Sequence, residues 1–154
     1  AENAYITAEC AVEIALSYLP MTLRQCPVLV IGWGRIGKCL GQILHALGAD
    51  LTVAARKDAD RAICRGLGYA AVDTARMAET LGKYRLILNT APERLLTKEQ
   101  LAQCHPDCVK IDLASKTGME GDSIIVARGL PGVHMPESSG RLIAETYVRL
   151  CREE

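Results

Sequence analysis

Three glycines in the run Gly32-Trp33-Gly34-Arg35-Ile36-Gly37 carry a Gly-x-Gly-x-x-Gly spacing, which can hold an anion on bare backbone. In that pattern the first glycine permits a tight turn and the second lets a pyrophosphate approach the main chain. The third lets a helix pack close to the strand before it. Free N–H groups at residues 34–36, and the positive end of the helix dipole, then face the negative charge. With 13 glycines in the chain the spacing alone is weak, and its surroundings decide its meaning. Val28, Leu29, Val30 and Ile31, three of them β-branched, precede it as a strand would. Ile36, Cys39, Leu40, Ile43, Leu44 and Leu47 then recur every three or four residues until Gly48, as a helix would. Strand, glycine turn and helix in that order are the context of a dinucleotide fingerprint. The alternative is a turn that only packs a helix on a sheet.

Two cations stand where a second determinant belongs. Residues 51–54 read as the next strand, and Ala54-Ala55-Arg56-Lys57 is its exit. NAD enzymes usually place a carboxylate there for the ribose hydroxyls. Here no acid comes before Asp58, which reads as the cap of the following helix. Arg56 offers a fork of donors and Lys57 adds charge, a pair suited to a 2′-phosphate. NADP is therefore expected ahead of NAD, with Ala55, Arg56 and Lys57 as contacts. Alternatively, Arg56 stacks on adenine and selects neither.

Further candidates come from strand exits, where open α/β sheets bind their ligands. Residues 86–88 form an apolar strand leading into Asn89-Thr90-Ala91-Pro92. Residues 109–113 form another, leading into Ala114-Ser115-Lys116-Thr117-Gly118. The nicotinamide end of a cofactor is expected against Asn89, Thr90, Ala91, Pro92, Asp112, Ala114 and Ser115, with Trp33 shielding the pyrophosphate turn. Asp112 could instead point toward a helix as a capping group. Three residues are weak candidates for chemistry. Ser115 could hydrogen-bond the carboxamide or substrate, or be a turn serine. Lys116 could bind a substrate carboxylate, or be a solvated loop lysine. His134 is a candidate acid–base group, expected near the cleft. No Ser–His–Asp set or carboxylate pair stands out, and the catalytic residues stay unassigned.

The remaining elements must position these loops. A helix is expected from Thr7 as its cap to Pro20, with Ile6, Cys10, Ile14 and Tyr18 as its stripe and Ala11, Ala15 and Leu19 beside it. Asp58 opens a helix to about Arg65, which Gly66-Leu67-Gly68 ends. Residues 69–72 form a strand, and Asp73 or Thr74 opens a helix carrying Met77, Ala78 and Leu81. Thr97-Lys98-Glu99-Gln100 matches a capping box. Residues 124–127 form a sixth strand, with Gly129-Leu130-Pro131-Gly132 as its exit. Pro136 opens a last helix whose buried face is Leu142, Ile143, Thr146, Tyr147 and Leu150. Strands alternating with helices give an α/β, Rossmann-type, doubly wound parallel sheet with flanking N- and C-terminal helices, one domain over residues 1–154.

Composition sets the outer bounds. At 154 residues, with 49% hydrophobic and 23% charged residues, the chain fits one globular domain. Basic and acidic residues balance at 18 each, so neither nucleic acid nor an anionic membrane is an expected partner. Seven cysteines, an odd number, lie mostly in apolar segments and read as core residues in a reducing cytoplasm. Cys104-His105-Pro106-Asp107-Cys108 lacks a second ligand pair and reads as a turn before a strand, so no metal is expected. The chain starts at Ala1-Glu2 without methionine, which suits a fragment of a longer protein.

Together the exit loops resemble the C-terminal, nucleotide-binding domain of the family of dipicolinate synthase A subunits. The resemblance spans nearly the whole chain. It rests on Ile6-Thr-Ala-Glu-Cys10, Val30-Ile-Gly-Trp-Gly-Arg-Ile-Gly37, Ala54-Ala-Arg-Lys57, Asn89-Thr-Ala-Pro92, Ile111-Asp-Leu-Ala-Ser-Lys116 and Gly129-Leu-Pro-Gly132. It implies a two-domain protein whose N-terminal substrate domain lies outside these residues. The family works with a second, flavoprotein-like subunit to oxidise a dihydrodipicolinate-type intermediate to pyridine-2,6-dicarboxylate, with NAD(P) as hydride acceptor. This takes place in the mother-cell cytoplasm of a sporulating bacterium. The nucleotide-binding halves of D-2-hydroxyacid and alanine dehydrogenases look similar. The chain departs from the family at Cys10, His134 and Glu137, and segment 118–124 is short for the helix expected there. A 2-hydroxy or 2-amino acid dehydrogenase relative, and a nucleotide-sensing or interaction module, are the competing readings. An apolar surface is expected where the absent domain packs, on the first and last helices, which then pair with each other or across a homodimer.

Overall fold

The computed structural model describes residues 2–153. Its centre is β1 (Pro27–Ile31), whose Val28, Leu29, Val30 and Ile31 are fully buried. Such a strand must be covered on both faces, and the chain supplies cover by winding outward in two directions. β2 (Asp50–Ala54) and β4 (Leu86–Asn89) flank β1 in parallel, with Val53 and Leu88 level with Val30. β3 (Ala70–Val72) extends one side, and β5 (Val109–Asp112) and β6 (Ile124–Val126) the other. The order is β3-β2-β1-β4-β5-β6, with every pairing parallel. This is the doubly wound sheet expected from the pattern. Its order reverses between β1 and β4, so the crevice for a ligand opens above those two strand ends.

Alternate residues divide the core. Val28, Val30, Leu86, Leu88 and Ile111 meet Ala11, Ala15, Leu40 and Leu44 on the face covered by α1 (Glu2–Tyr18) and α2 (Arg35–Ala46). Leu29, Ile31 and Ile87 meet Met77, Leu81, Tyr84, Leu96 and Leu101 on the other. Each such aliphatic side chain contributes about 1.5–3 kcal/mol by leaving water. That second face is covered by a 3₁₀ helix, Met77–Lys83, and by α4 (Lys98–Leu101). α3 (Asp58–Gly66) buries only Cys64 among its residues.

Several boundaries differ from expectation. Thr7 is not a cap: α1 begins upstream, and Thr7 Oγ1 donates to the Asn3 carbonyl (2.8 Å) inside the helix. The buried residues of α1 are Ala4, Ala8, Cys10, Ala11, Val12 and Ala15, while Tyr18 is exposed. Asp58 lies inside α3, whose N-cap is Lys57. The helix expected from residue 73 is a 3₁₀ helix that starts later, because the Asp73 carboxylate accepts the Ala75 N–H (2.9 Å) and holds a turn. Segment 118–124 forms no helix; Met119 instead bridges Leu96 in parallel. Thr97 and Gln100 do form the capping box at α4.

The end of the chain departs most. Gly129 takes a left-handed conformation (φ 65°) and starts α5 (Leu130–His134) in a segment read as a simple exit. α6 (Pro136–Glu153) then packs on α5 and α1, not on the sheet. Of its expected buried face Leu142 and Thr146 are partly buried, but Ile143 is 67%, Tyr147 69% and Leu150 57% exposed. The periodicity marks an apolar stripe correctly, but nothing in these residues lies over it. No helix among the described residues is long and apolar enough to cross a membrane.

Candidate dinucleotide-binding cleft

The glycine loop is shaped by close approach. Gly32 has φ 98°, and a Cβ there would lie 2.6 Å from Thr90 Oγ1. Thr90 Oγ1 in turn donates to the Ile31 carbonyl (2.9 Å), tying the exits of β1 and β4 together. A Cβ on Gly37 would overlap the Gly32 carbonyl, so only glycine lets α2 sit this close to the turn. Gly34 is the opposite case: it is exposed, and nothing lies within 4 Å of where its Cβ would be. It caps α2 without a side-chain hydrogen bond, and the first turn holds no acidic residue. The N–H groups that begin a helix lack internal partners, so this open end is suited to an anion.

Hollows lie on both sides of Gly34. One, of about 240 Å³, is walled by Trp33, Ala55, Arg56, Lys57, Ala91 and Glu93, together with Gly32 and Gly34. The other, of about 260 Å³, is walled by Asn3, Ala4, Thr7, Arg35, Ile36 and Thr90. A dinucleotide has the matching form, two nucleoside halves joined by a pyrophosphate. Trp33 folds back onto α2, edge-on to Tyr69 (centroids 6.0 Å apart, planes at 74°), and its Nε1 is buried with no partner. The open cradle at Gly34 fits such a group.

At the β2 exit Arg56 and Lys57 are exposed and Ala55 is buried. Arg61 of α3 holds the backbone that presents them. Its guanidinium donates to the Ala55 carbonyl (2.8 Å) and the Arg56 carbonyl (2.7 Å), and pairs with Asp73 (2.9 Å). Arg56 faces Glu93 across the hollow at 3.6 Å. Asp60 completes a lining with two charges of each sign.

The β4 and β5 exits have a buried foundation. Asp112 and Asn89 are level in the sheet and fully buried. The Asp112 carboxylate accepts from Asn89 Nδ2 (3.1 Å) and from the N–H groups of Ala114 (3.0 Å), Gly118 (2.8 Å) and Met119 (3.2 Å). It therefore folds the loop after β5, and Asn89 joins that loop to the Ala91 carbonyl (3.1 Å). Gly118 passes so close to Asn89 and the Glu93 carbonyl that a side chain would overlap them. Arg128 donates to the Ala114 carbonyl (3.1 Å) and Thr117 Oγ1 (3.0 Å). Ser115 and Lys116 are exposed on this loop, Pro92 is exposed on the β4 loop, and Ala114 is buried.

His134 does not lie at this cleft. Its Nδ1 is 3.3 Å from Glu13 of α1, and it lines a separate groove with Tyr18, Val126 and Val133. Among the described residues no group of three or more His, Cys, Asp or Glu could hold a metal. Sequence reasoning missed Asn3, Thr7, Asp60, Arg61 and Glu93. Thr7 was hidden by its reading as a cap. Arg61, three residues after Asp58, carried only the signature of a helix-surface ion pair.

No family model matches the chain. The A subunit of dipicolinate synthase from Bacillus subtilis (strain 168) is 28% identical over 159 residues, covering 98% of this chain and 54% of that protein. The crystal structure of the same synthase component from Bacillus halodurans superposes with a TM-score of 0.92 at 30% identity, over 97% of this chain and 54% of the other. A transhydrogenase from Sinorhizobium meliloti shares the fold, with a TM-score of 0.86 at 22% identity over 97% of this chain and 54% of that one. The chain spans about half the length of these relatives. With its glycine cradle and sheet order in place, the chain is a homologue of the dipicolinate synthase A subunit and carries that protein's NAD(P)-binding-like Rossmann domain.

Proposed function

We propose that this chain is the dinucleotide-binding domain of an oxidoreductase like the dipicolinate synthase A subunit, taking NADP in preference to NAD. The observation that carries the reading is the uncapped start of α2 at Gly34, open to solvent between two hollows. Backbone N–H groups there receive the pyrophosphate. Arg56 and Lys57, on a loop fixed by Arg61, receive the 2′-phosphate. Thr90 and Ala91 border the hollows, and Ser115 and Lys116 lie on the neighbouring loop. When bound, the nicotinamide supplies a hydride acceptor for oxidation of a dihydrodipicolinate-type intermediate to dipicolinate. The substrate domain and a second, flavoprotein-like subunit complete the enzyme, in the cytoplasm of a sporulating cell.

Reconstitution tests this assignment. The chain joined to the substrate domain of a dipicolinate synthase relative, and mixed with the flavoprotein-like component, is expected to convert the dihydrodipicolinate-type substrate and to reduce NADP. Turnover of 2-oxo acids instead would place the chain with the 2-hydroxy acid dehydrogenases. Cofactor binding without turnover in the complete assembly would favour a nucleotide-sensing module.

A further inference from the structure

The loop after β2 is tied down at four backbone groups. The Ala54 carbonyl accepts the Gly32 N–H (2.9 Å), and the Ala55 N–H donates to the Val72 carbonyl (3.0 Å). These two bonds join the loop to the glycine turn and to β3. The carbonyls of Ala55 and Arg56 differ, because a charged side chain is their donor: both accept from Arg61, at 2.8 and 2.7 Å. They belong to the peptide planes on either side of Arg56.

Arg61 is itself braced from the far side. Its side chain is only 14% exposed, and Asp73, which follows β3, pairs with it at 2.9 Å. The other oxygen of that carboxylate accepts the Ala75 N–H (2.9 Å), so Asp73 is fixed in turn. A guanidinium this deep is stable where a carboxylate and further acceptors satisfy it, and here they do. Arg61 walls a hollow of about 490 Å³ with Asp58, Asp73 and Arg76, whereas Arg56 and Lys57 wall the one at the cleft. It therefore acts on a ligand in the cleft through the loop.

We propose that Arg61, braced by Asp73, is the positioning residue that sets the preference for a 2′-phosphorylated dinucleotide, an inference that rests on the cofactor reading above. By holding both peptide planes beside Arg56, it fixes where the Arg56 and Lys57 side chains leave the chain. Two long, exposed cations then lose less freedom when they close on a phosphate. Released from Arg61, the loop has more arrangements, few of which aim both cations at one point. A ribose with a free 2′-hydroxyl makes no ion pair with them and loses little. Arg61 thus controls the preference, and not the binding of dinucleotides in general.

Calorimetric titration of the 154-residue chain with NADP and with NAD reads this preference. Arg61→Ala is expected to lower NADP affinity about tenfold and NAD affinity by less than about threefold. Asp73→Asn keeps an acceptor for the Ala75 N–H but loses the charge that braces Arg61. It should shift the ratio several-fold in the same direction, and it carries the test should Arg61→Ala fail to fold. In a background of Arg56→Ala and Lys57→Ala, removing Arg61 should cost NADP nothing further, because the side chains it positions are gone. Equal losses for the two dinucleotides would overturn the proposal and leave Arg61 a purely structural residue. A further loss of about tenfold in the doubly substituted background would also overturn it, by making Arg61 a direct ligand. A wild-type chain that binds neither dinucleotide, or favours NAD, would overturn the cofactor reading and this inference with it. Wild-type preference for NADP keeps that reading in place whatever Arg61→Ala does.

Discussion

The Arg56 guanidinium and the Glu93 carboxylate face each other 3.6 Å apart, 75% and 61% exposed, so their pairing contributes at most about 1 kcal/mol. A 2′-phosphate in the same hollow would draw Arg56 away and set a second negative charge near Glu93. Charge-assisted hydrogen bonds contribute about 1.5–3 kcal/mol, so Arg56→Ala is expected to weaken NADP binding roughly tenfold or more. NAD affinity should stay nearly constant. Glu93→Gln is expected to strengthen NADP binding several-fold, because it removes the competing charge. Calorimetric titration of both variants checks these directions; equal effects on the two cofactors would count against the phosphate assignment. Asp112 acts at the same scale from beneath the surface. Asp112→Ala leaves its four donors without their shared acceptor and is expected to lower stability by about 3 kcal/mol or more, read from the urea midpoint.

The strand–turn–helix from β1 to α2 separates two kinds of glycine. Gly34 has φ −79° with open space above it, so Gly34→Ala should fold with stability within about 0.5 kcal/mol of the parent. It should still bind dinucleotide more weakly, because its methyl group occupies the approach. Gly37→Ala forces a methyl group into the Gly32 carbonyl and is expected to cost about 1–3 kcal/mol as well as binding. Parallel melting and binding measurements distinguish the two. This unit was legible in the sequence because every local signal agreed: a β-branched strand, the glycine spacing, an apolar stripe and Gly48 as a stop. Agreement failed where a long-range partner decides. Asp112 alternates with Ile111 and Leu113 as any strand residue does, and only the fold shows its carboxylate receiving three backbone N–H groups from the next loop. Thr7 and Asp58 have cap chemistry in sequence, but α1 starts earlier than Thr7, and Asp58 falls within the first turn of α3. α5, five residues long and started by a left-handed Gly129, gives too little periodicity to read.

The whole molecule leaves one helix unfinished. α6 carries Ile143, Tyr147, Val148 and Leu150 outward, and the relatives that match this chain are nearly twice as long. We propose that this face meets a further part of a longer polypeptide, as the length of the relatives suggests. Alone, the chain is expected to self-associate through α6 with rising concentration, and the double change Ile143→Ser and Tyr147→Ser to abolish this without loss of stability. Sedimentation of a monomer at all concentrations would argue against the assignment. In the proposed function the glycine loop binds a dinucleotide and Arg56 reads its phosphate. Thermal-shift titration of this chain with NADP and NAD tests it most directly. A ligand that binds only the folded state adds about 2.7 kcal/mol at a hundred times its dissociation constant. A larger shift is expected with NADP than with NAD, and loss of that difference in Arg56→Ala. A larger shift with NAD would contradict the phosphate reading, and no shift with either would contradict the cradle itself.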